Sequence, residues 1–255
     1  MAMRPDCDAI SCNFQDIGAF LADEVVQSCS LNGGSDFNLL RTYLHKDTRG
    51  TSKSITSAIL APMVPTAPMN WQTVGLRDIP ATPWKNGVGS THELLRWPSP
   101  SRWTWRMSVA EIGSAQAFSE FKGLDRRLAV LHGEGLVLTI DGQEHALTAT
   151  DAPLLFDGGA DIRCRVCESP IQVFNLMLPR GLAPVEMARV AGQAKFKAAQ
   201  TCVVAVYTHG GGGVTQLDHD REPLLPFRLL WRIAEAGSEL LVTADNALWM
   251  AFPTP

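Results

Sequence analysis

Residues 83–91, Pro-Trp-Lys-Asn-Gly-Val-Gly-Ser-Thr, bring an aromatic ring, a cation, an amide, two glycines and two hydroxyls together in one short stretch. Trp84 offers an apolar wall, Lys85 a positive charge, and Asn86 both a donor and an acceptor. Gly87 and Gly89 permit a sharp bend or the close approach of a ligand to the backbone, and Thr91 adds a hydroxyl. The chemistry these types support is recognition of a small anion or amide; the same residues also make an ordinary loop around a half-buried Trp. A second group follows at Arg106 and Ser108, which share one face of a strand because side chains alternate. A guanidinium grips a carboxylate through two parallel hydrogen bonds, whereas Lys85 acts as a mobile point charge. Phe118 supplies another apolar wall. The competing reading of Arg106 is an ion pair with Glu93 or Glu111 on a solvent-facing sheet. Glu93, Glu111, Asp125 and Arg126 are expected behind the ligand, orienting Arg106 or Lys85. Asp125-Arg126-Arg127 itself reads more simply as a polar strand entry or a structural ion pair.

Other chemistries find less support. The chain has no His-x-His; His92, His132, His145, His209 and His219 are dispersed. Cys164 and Cys167 form a C-x-x-C, but no second pair stands at zinc spacing, and the alternation of Ile162 to Val166 places the thiols on a strand. Gly210 to Gly213 lacks the Lys-Ser/Thr of a phosphate loop, and neither a Ser nor a Cys sits in a nucleophile elbow. No metal, cofactor or catalytic residue is therefore assigned, and a metal-free acid/base pair of Lys85 and Glu111 stays open.

The elements that must hold these residues are strands. From residue 70 onward the chain runs in short segments of period two separated by turn residues. Trp103, Trp105, Met107 and Val109 alternate with Thr104, Arg106, Ser108 and Ala110, giving one large apolar face and one polar face. Leu136 to Ile140 and Glu144 to Leu147 flank Asp141-Gly142, a strong hairpin signal. Further strands are expected over Ile171 to Leu178, Cys202 to Thr208, Phe227 to Ile233, Glu239 to Thr243 and Ala247 to Phe252. Residues 1–68 differ: they are rich in Ser, Thr, Asn and Gly and end in a proline-rich run before Met69. They are expected to form a disordered N-terminal extension with one short helix over Ile17 to Ser28, or to precede a native start at Met69.

The regular strand-turn order from Leu131 to Phe156 resembles a cupin half-barrel, with Phe227 to Phe252 as a more degenerate second copy. Trp84-Lys-Asn-Gly, Thr91 and Glu93, Trp105 to Glu111, Phe118 to Arg126, Gly133-Glu-Gly135 and Phe174-Asn-Leu-Met177, in this order, resemble the HutD/Ves family over residues 69–255. The family usually carries three successive glycines where Gly87-Val88-Gly89 stands. The resemblance implies an all-β bicupin of two jelly-roll barrel halves. It further implies an apparently non-catalytic protein that moderates histidine utilisation and binds a small carboxylate such as formylglutamate or urocanate. Many cupins are metal enzymes, which keeps a metal-dependent oxygenase or isomerase as the alternative.

A net charge of -4 with 19% charged residues gives no electrostatic footprint for nucleic acid or an acidic membrane surface. No apolar run approaches the roughly 20 residues of a membrane helix, and the start lacks a basic segment followed by an apolar one, so the expected location is cytoplasmic. The expected partner is a small carboxylate, with a second copy of the chain as a further option.

Overall fold

The structure, a computed structural model, describes residues 68–167 and 170–254 together with three strands nearer the N-terminus. The chain divides into two units, Met1–Val64 and Pro65–Pro255. In the first unit β1 (Asp23–Val26), β2 (Leu40–Lys46) and β3 (Ser52–Ala58) form an antiparallel sheet in the order β1-β2-β3. Where a helix was expected over Ile17 to Ser28, Asp23–Val26 is a strand paired with β2. Val25 and Val26 are β-branched and fit a pleated ladder better than an isolated helical turn. The rest of that stretch lies outside the described residues.

In the second unit every regular element described is a strand, apart from a 3-10 turn at Leu76–Asp78. The strands begin with β4 (Gln72–Gly75), β5 (Thr82–Pro83), β6 (Gly89–Pro98), β7 (Trp103–Ile112), β8 (Gln116–Ala117) and β9 (Leu124–His132). They continue with β10 (Leu136–Ile140), β11 (Gln143–Leu147), β12 (Leu154–Asp157), β13 (Ile162–Val166) and β14 (Ile171–Pro179). The last six are β15 (Glu186–Lys197), β16 (Cys202–Thr208), β17 (Gly213–Leu217), β18 (Asp220–Leu224), β19 (Arg228–Ala234) and β20 (Glu239–Pro253).

The first half pairs the sheet β12-β9-β14-β7-β6-β5 with the sheet β11-β10-β13-β8. Ala110, Ile112, Leu128, Val130 and Val173 from one sheet pack with Leu136, Leu138, Ile162 and Cys164 from the other. The Asp141-Gly142 hairpin forms as the sequence predicts, both residues at positive φ (46° and 87°), which matches the twist of the flanking strands. The second half is built on β18-β17-β20-β16-β19-β4, with β15 laid along β20. Two strands expected on either side of Ala244 are one 15-residue strand, β20. Its first part pairs with β17 and its last part with β16, while β15 runs the full length and absorbs the bend in a bulge between Val190 and Gly192. The second half therefore starts at β15, much earlier than Phe227.

The halves share a third apolar core. Trp105, Met107 and Val109 of β7 and Phe174 and Leu176 of β14 meet Tyr207, Trp231, Met250 and Phe252 of the second half. Trp105 lies edge-on to Trp231 and Phe252, with ring centroids 5.4 and 5.3 Å apart. With this face of β7 occupied by the second half, the alternate residues, Arg106, Ser108 and Ala110, face the interior of the first. The polar face of β7, for which the sequence left a ligand pocket or a solvent-facing sheet open, is thus an inner face.

Candidate functional site

Cross-strand register arranges the inner face of the first half in rows. Val130, Val173, Ala110 and Thr91 lie side by side on β9, β14, β7 and β6. The next row toward the barrel end holds Leu128, Asn175, Ser108 and Glu93. The row beyond it holds Phe156, Arg126, Met177, Arg106 and Arg96, the first of these on β12. On β9, β7 and β6 the last row is an arginine, and on β14 it is Met177.

Arg126 is the unusual member. It is only 4% exposed, and its guanidinium carbon lies 5.0, 5.6 and 5.1 Å from the ring centroids of Phe118, Phe121 and Phe156. Nη2 donates to Oδ1 of Asn175 at 2.9 Å, while buried Nε and Nη1 have no partner. Burial first, and the neighbouring Arg106 second, push its pKa down to about 10. At neutral pH it still carries its charge, so the aromatic cover surrounds a cation with two unanswered donor positions. Of the two sequence readings of Asp125-Arg126-Arg127, a polar strand entry or a structural ion pair, no ion pair forms at Arg126 among the described residues. Asp125 points the other way, accepting from the Gly181 N–H at 3.2 Å and lying 3.9 Å from Arg180.

Arg106 is already engaged. Its Nε donates to Oε2 of Glu93 at 2.9 Å, and the same carboxylate pairs with Arg96. Burial lowers the Arg106 pKa, with Glu93 opposing the shift. Of the two sequence readings of Arg106, the ion pair with Glu93 is present, but inside the half-barrel.

The structure divides the residues singled out from the sequence. Arg106, Ser108, Phe118, Glu93 and Arg126 gather at one end of the inner face. Trp84, Lys85, Asn86 and Gly87 belong to the turn between β5 and β6, next to Gly89, which pairs with Ile112. Ile112 is six residues along β7 from Arg106, about 20 Å at the rise of an extended strand. In that turn the parts serve one another. Trp84 Nε1 donates to the Thr91 hydroxyl at 2.8 Å, and a side chain at Gly89 would strike the Trp84 ring at 2.5 Å. Asn86 donates to Gln116 and accepts from the Val88 N–H. Lys85 is exposed. Glu111 is also exposed and accepts from Gln172 at 3.3 Å, on the face opposite Ala110 and Ile112. Phe121, Phe156, Asn175 and Arg96 were not read as site residues. Asn175 and Met177 carried a family motif, but the four-residue apolar run from Leu128 hid which face Arg126 would take.

The inner-face row offers one carboxylate, held by two guanidinium groups, which does not fit a divalent cation. Among the described residues no group of three or more His, Cys, Asp and Glu side chains is placed to hold a metal ion. Two small grooves lie elsewhere, in the second half: one of about 180 Å³ is lined by Gln216, Arg221 and Thr243, the other by Glu186, Phe196 and Lys197. Neither holds a buried, unpartnered charge. No helix among the described residues is long and apolar enough to cross a membrane.

Two half-barrels of antiparallel strands with an inward-facing polar row define a cupin-like, two-barrel protein. Residues 76–250 match the HutD family model, and the chain belongs to the HutD family. It is 37% identical over 109 residues to an uncharacterised 21.2 kDa protein from the hutC 3' region of Pseudomonas putida, covering 42% of this chain and 57% of that one. It is 30% identical over 105 residues to protein Ves of Escherichia fergusonii, covering 40% and 54%. The chain therefore spans little more than half the length of these curated relatives. Its fold is similar to that of HutD from Pseudomonas fluorescens SBW25, in a formate condition, with TM-score 0.64 and 28% identity over 73% of this chain and 100% of that one. Protein Ylba of E. coli shares the fold at 12% identity and TM-score 0.56, over 77% and 96%.

Proposed function

We propose that this HutD-family, cupin-like protein, associated with histidine utilisation, works by binding a small carboxylate in the first half-barrel without transforming it. The observation that carries this reading is Arg126: a buried guanidinium under three phenylalanines, with two donor nitrogens unanswered and no acid partner among the described residues. A carboxylate supplies the missing charge and acceptors for an edge of the guanidinium, Nε or Nη1 together with the remaining N–H of Nη2. Asn175 holds the third nitrogen and fixes the plane of the guanidinium. Phe118 and Phe121, each half-buried, exclude water from the pair once formed and so strengthen it. Formylglutamate and urocanate are the proposed ligands, in keeping with the family's link to histidine utilisation.

A ligand that binds only the folded state raises the melting temperature by mass action. Formylglutamate or urocanate is expected to do so in a thermal-shift titration. Arg126→Met should remove the shift and Lys85→Ala should leave it, since Lys85 lies at the far turn. If Arg126→Met responds like the parent protein, this reading of the pocket is wrong.

A further inference from the structure

β9 ends in His132, β16 is followed at once by His209, and the two rings meet across the seam between the halves with centroids 6.0 Å apart and planes within 29°. A bulge brings them together. The register between β9 and β14 shifts at Gln172, so His132 leaves the inner face that Val130 occupies and joins the face that Ala129 and Leu131 turn toward the second half. One pair of residues deeper in the seam, Tyr207 packs on Phe174 at 5.1 Å; it is fully buried, and its hydroxyl has no partner among the described residues. His209 stands above it with Nδ1 likewise buried and unanswered. Phe227 meets His209 edge-on at 5.2 Å and is held at φ 57°, a left-handed conformation that is costly for a bulky residue. On the other side Gln172 lies beside His132 in register and donates through Nε2 to Glu111 at 3.3 Å, which leaves Oε1 as its remaining acceptor and brings a carboxylate to the row. The opposing charge, Arg77, is drawn onto the face of Phe227, 4.8 Å from its centroid.

From the paired rings and the unanswered nitrogen we infer that His132 and His209 form a two-histidine site for a divalent ion that favours imidazole, zinc being the type, and that the ion ties the first half to the second. The spacing suits one ion between the rings. With a zinc–nitrogen bond of about 2.0–2.1 Å the ion lies about 3.2 Å from each ring centroid, so the centroids stand about 5.2 Å apart at a tetrahedral angle and about 6.4 Å apart when the nitrogens are opposite. The observed 6.0 Å falls between these limits. Glu111 acts at one remove, offsetting the ion's charge through the Gln172 amide. Water completes the coordination. The site lies on the opposite face of the sheet from Arg126 and does not depend on the carboxylate reading.

Zinc alone is the probe, titrated calorimetrically at pH 7.5 into the full chain after removal of metal with a chelator and alkylation of its accessible thiols, since exposed Cys167 would compete. One zinc ion is expected to bind and to raise the melting temperature, because it joins two parts of the folded chain. His132→Ala and His209→Ala should each weaken binding at least tenfold and remove the rise. His219→Ala, in the exposed turn between β17 and β18, should leave both unchanged. His132→Asp, which keeps a ligand atom at the position, should recover part of the affinity and so separates loss of the ligand from loss of the fold. Absence of zinc binding by the parent protein overturns the assignment. Equal binding by the parent, His132→Ala and His209→Ala overturns it as well, as does a loss in His132→Ala that His132→Asp does not relieve.

Discussion

Each half-barrel of the second unit buries an arginine beside aromatic rings, Arg126 in the first and Arg232 in the second, and the two are treated in opposite ways. Arg232 of β19 lies between Leu230 and Ala234 on the face that packs the second core, with its guanidinium carbon 5.6 Å from the Trp71 ring centroid. It is answered by an acid: Nη1 pairs with Asp220 of β18, and Nε donates to the Ile233 carbonyl at 3.3 Å. Arg126 of β9 occupies the same kind of position in the first half, with heavier aromatic cover and no acid. Residue type, strand position and aromatic stacking are shared, so none of them distinguishes a site from scaffold. The counter-ion does. An arginine whose charge is met within the chain has nothing left to recruit, whereas a buried one left unmet carries a desolvation cost that a ligand can offset.

The largest expected effect comes from deleting the unmet charge. Arg126→Met replaces it with a flexible apolar chain among three phenylalanines. The ligand-free protein is expected to gain stability, by up to about 4 kcal/mol, the upper end of the range seen when buried ion pairs give way to well-packed apolar residues. Chemical denaturation of parent and variant measures that gain, and a loss of stability would mean that Arg126 holds the barrel together. The next effect comes from making the first half resemble the second. Asn175→Asp places a carboxylate where Nη2 of Arg126 already donates. Binding of a carboxylate ligand should weaken at least tenfold, about 1.4 kcal/mol, with the fold retained. Unchanged affinity in titration calorimetry would show that the charge on Arg126 is not what the ligand meets.

The sequence made the strands legible more readily than their surroundings. Trp103 to Ala110 announced its two faces by alternation, and Asp141-Gly142 announced its turn. The polar face of β7 carries the same residues whether it meets water or a barrel interior, and only the packing of Trp105 and Met107 against Tyr207, Trp231 and Phe252 decides which. Arg126 was hidden for a related reason. Leu128, Ala129, Val130 and Leu131 are all buried, alternately in the first-half core and between the halves, so the run has no period from which to assign Arg126 a face. Residues 83–91 were conspicuous because a tight turn around a Trp needs glycine at position 89 and an amide at position 86. Dense local chemistry there reflects turn geometry, while Arg126 draws its phenylalanines from positions 118, 121 and 156, which only the fold brings together.

Converting the second half toward the first should do less. Asp220→Asn leaves Arg232 without its acid, but the Asp220 side chain is about half exposed, so water takes over much of the pairing. The expected cost is about 1 kcal/mol or less, in line with other exposed pairs. No carboxylate-dependent rise in melting temperature is expected to appear in that half. If one did appear, in a variant that also lacks Arg126, the counter-ion rule would be strengthened beyond the present pair. A large loss of stability would instead show Asp220 to be structural cement.

The smallest effect at neutral pH, and one confined to acid, concerns the seam where the halves meet. His132, at the end of β9, and His209, just past β16, have ring centroids 6.0 Å apart, and Phe227 meets His209 edge-on at 5.2 Å. Burial first, and His132 second, lower the His209 pKa from 6.5 to about 4. The folded protein therefore keeps His209 neutral over a range in which the unfolded chain protonates it. Nothing is lost above pH 6.5, where both states are neutral. Between about 6.5 and 4 the unfolded state binds the extra proton, so stability falls as pH falls, and the dependence flattens below 4. Buried Arg126 stays charged throughout this window, so the seam responds to acid while the charge of the inner row does not. Urea unfolding at pH 7.5, 6 and 5 should show a steeper decline for the parent than for His209→Leu, because the carboxylates that titrate in the same range are common to both. Parallel declines would place the proton-sensitive group elsewhere and leave the two halves joined by packing alone.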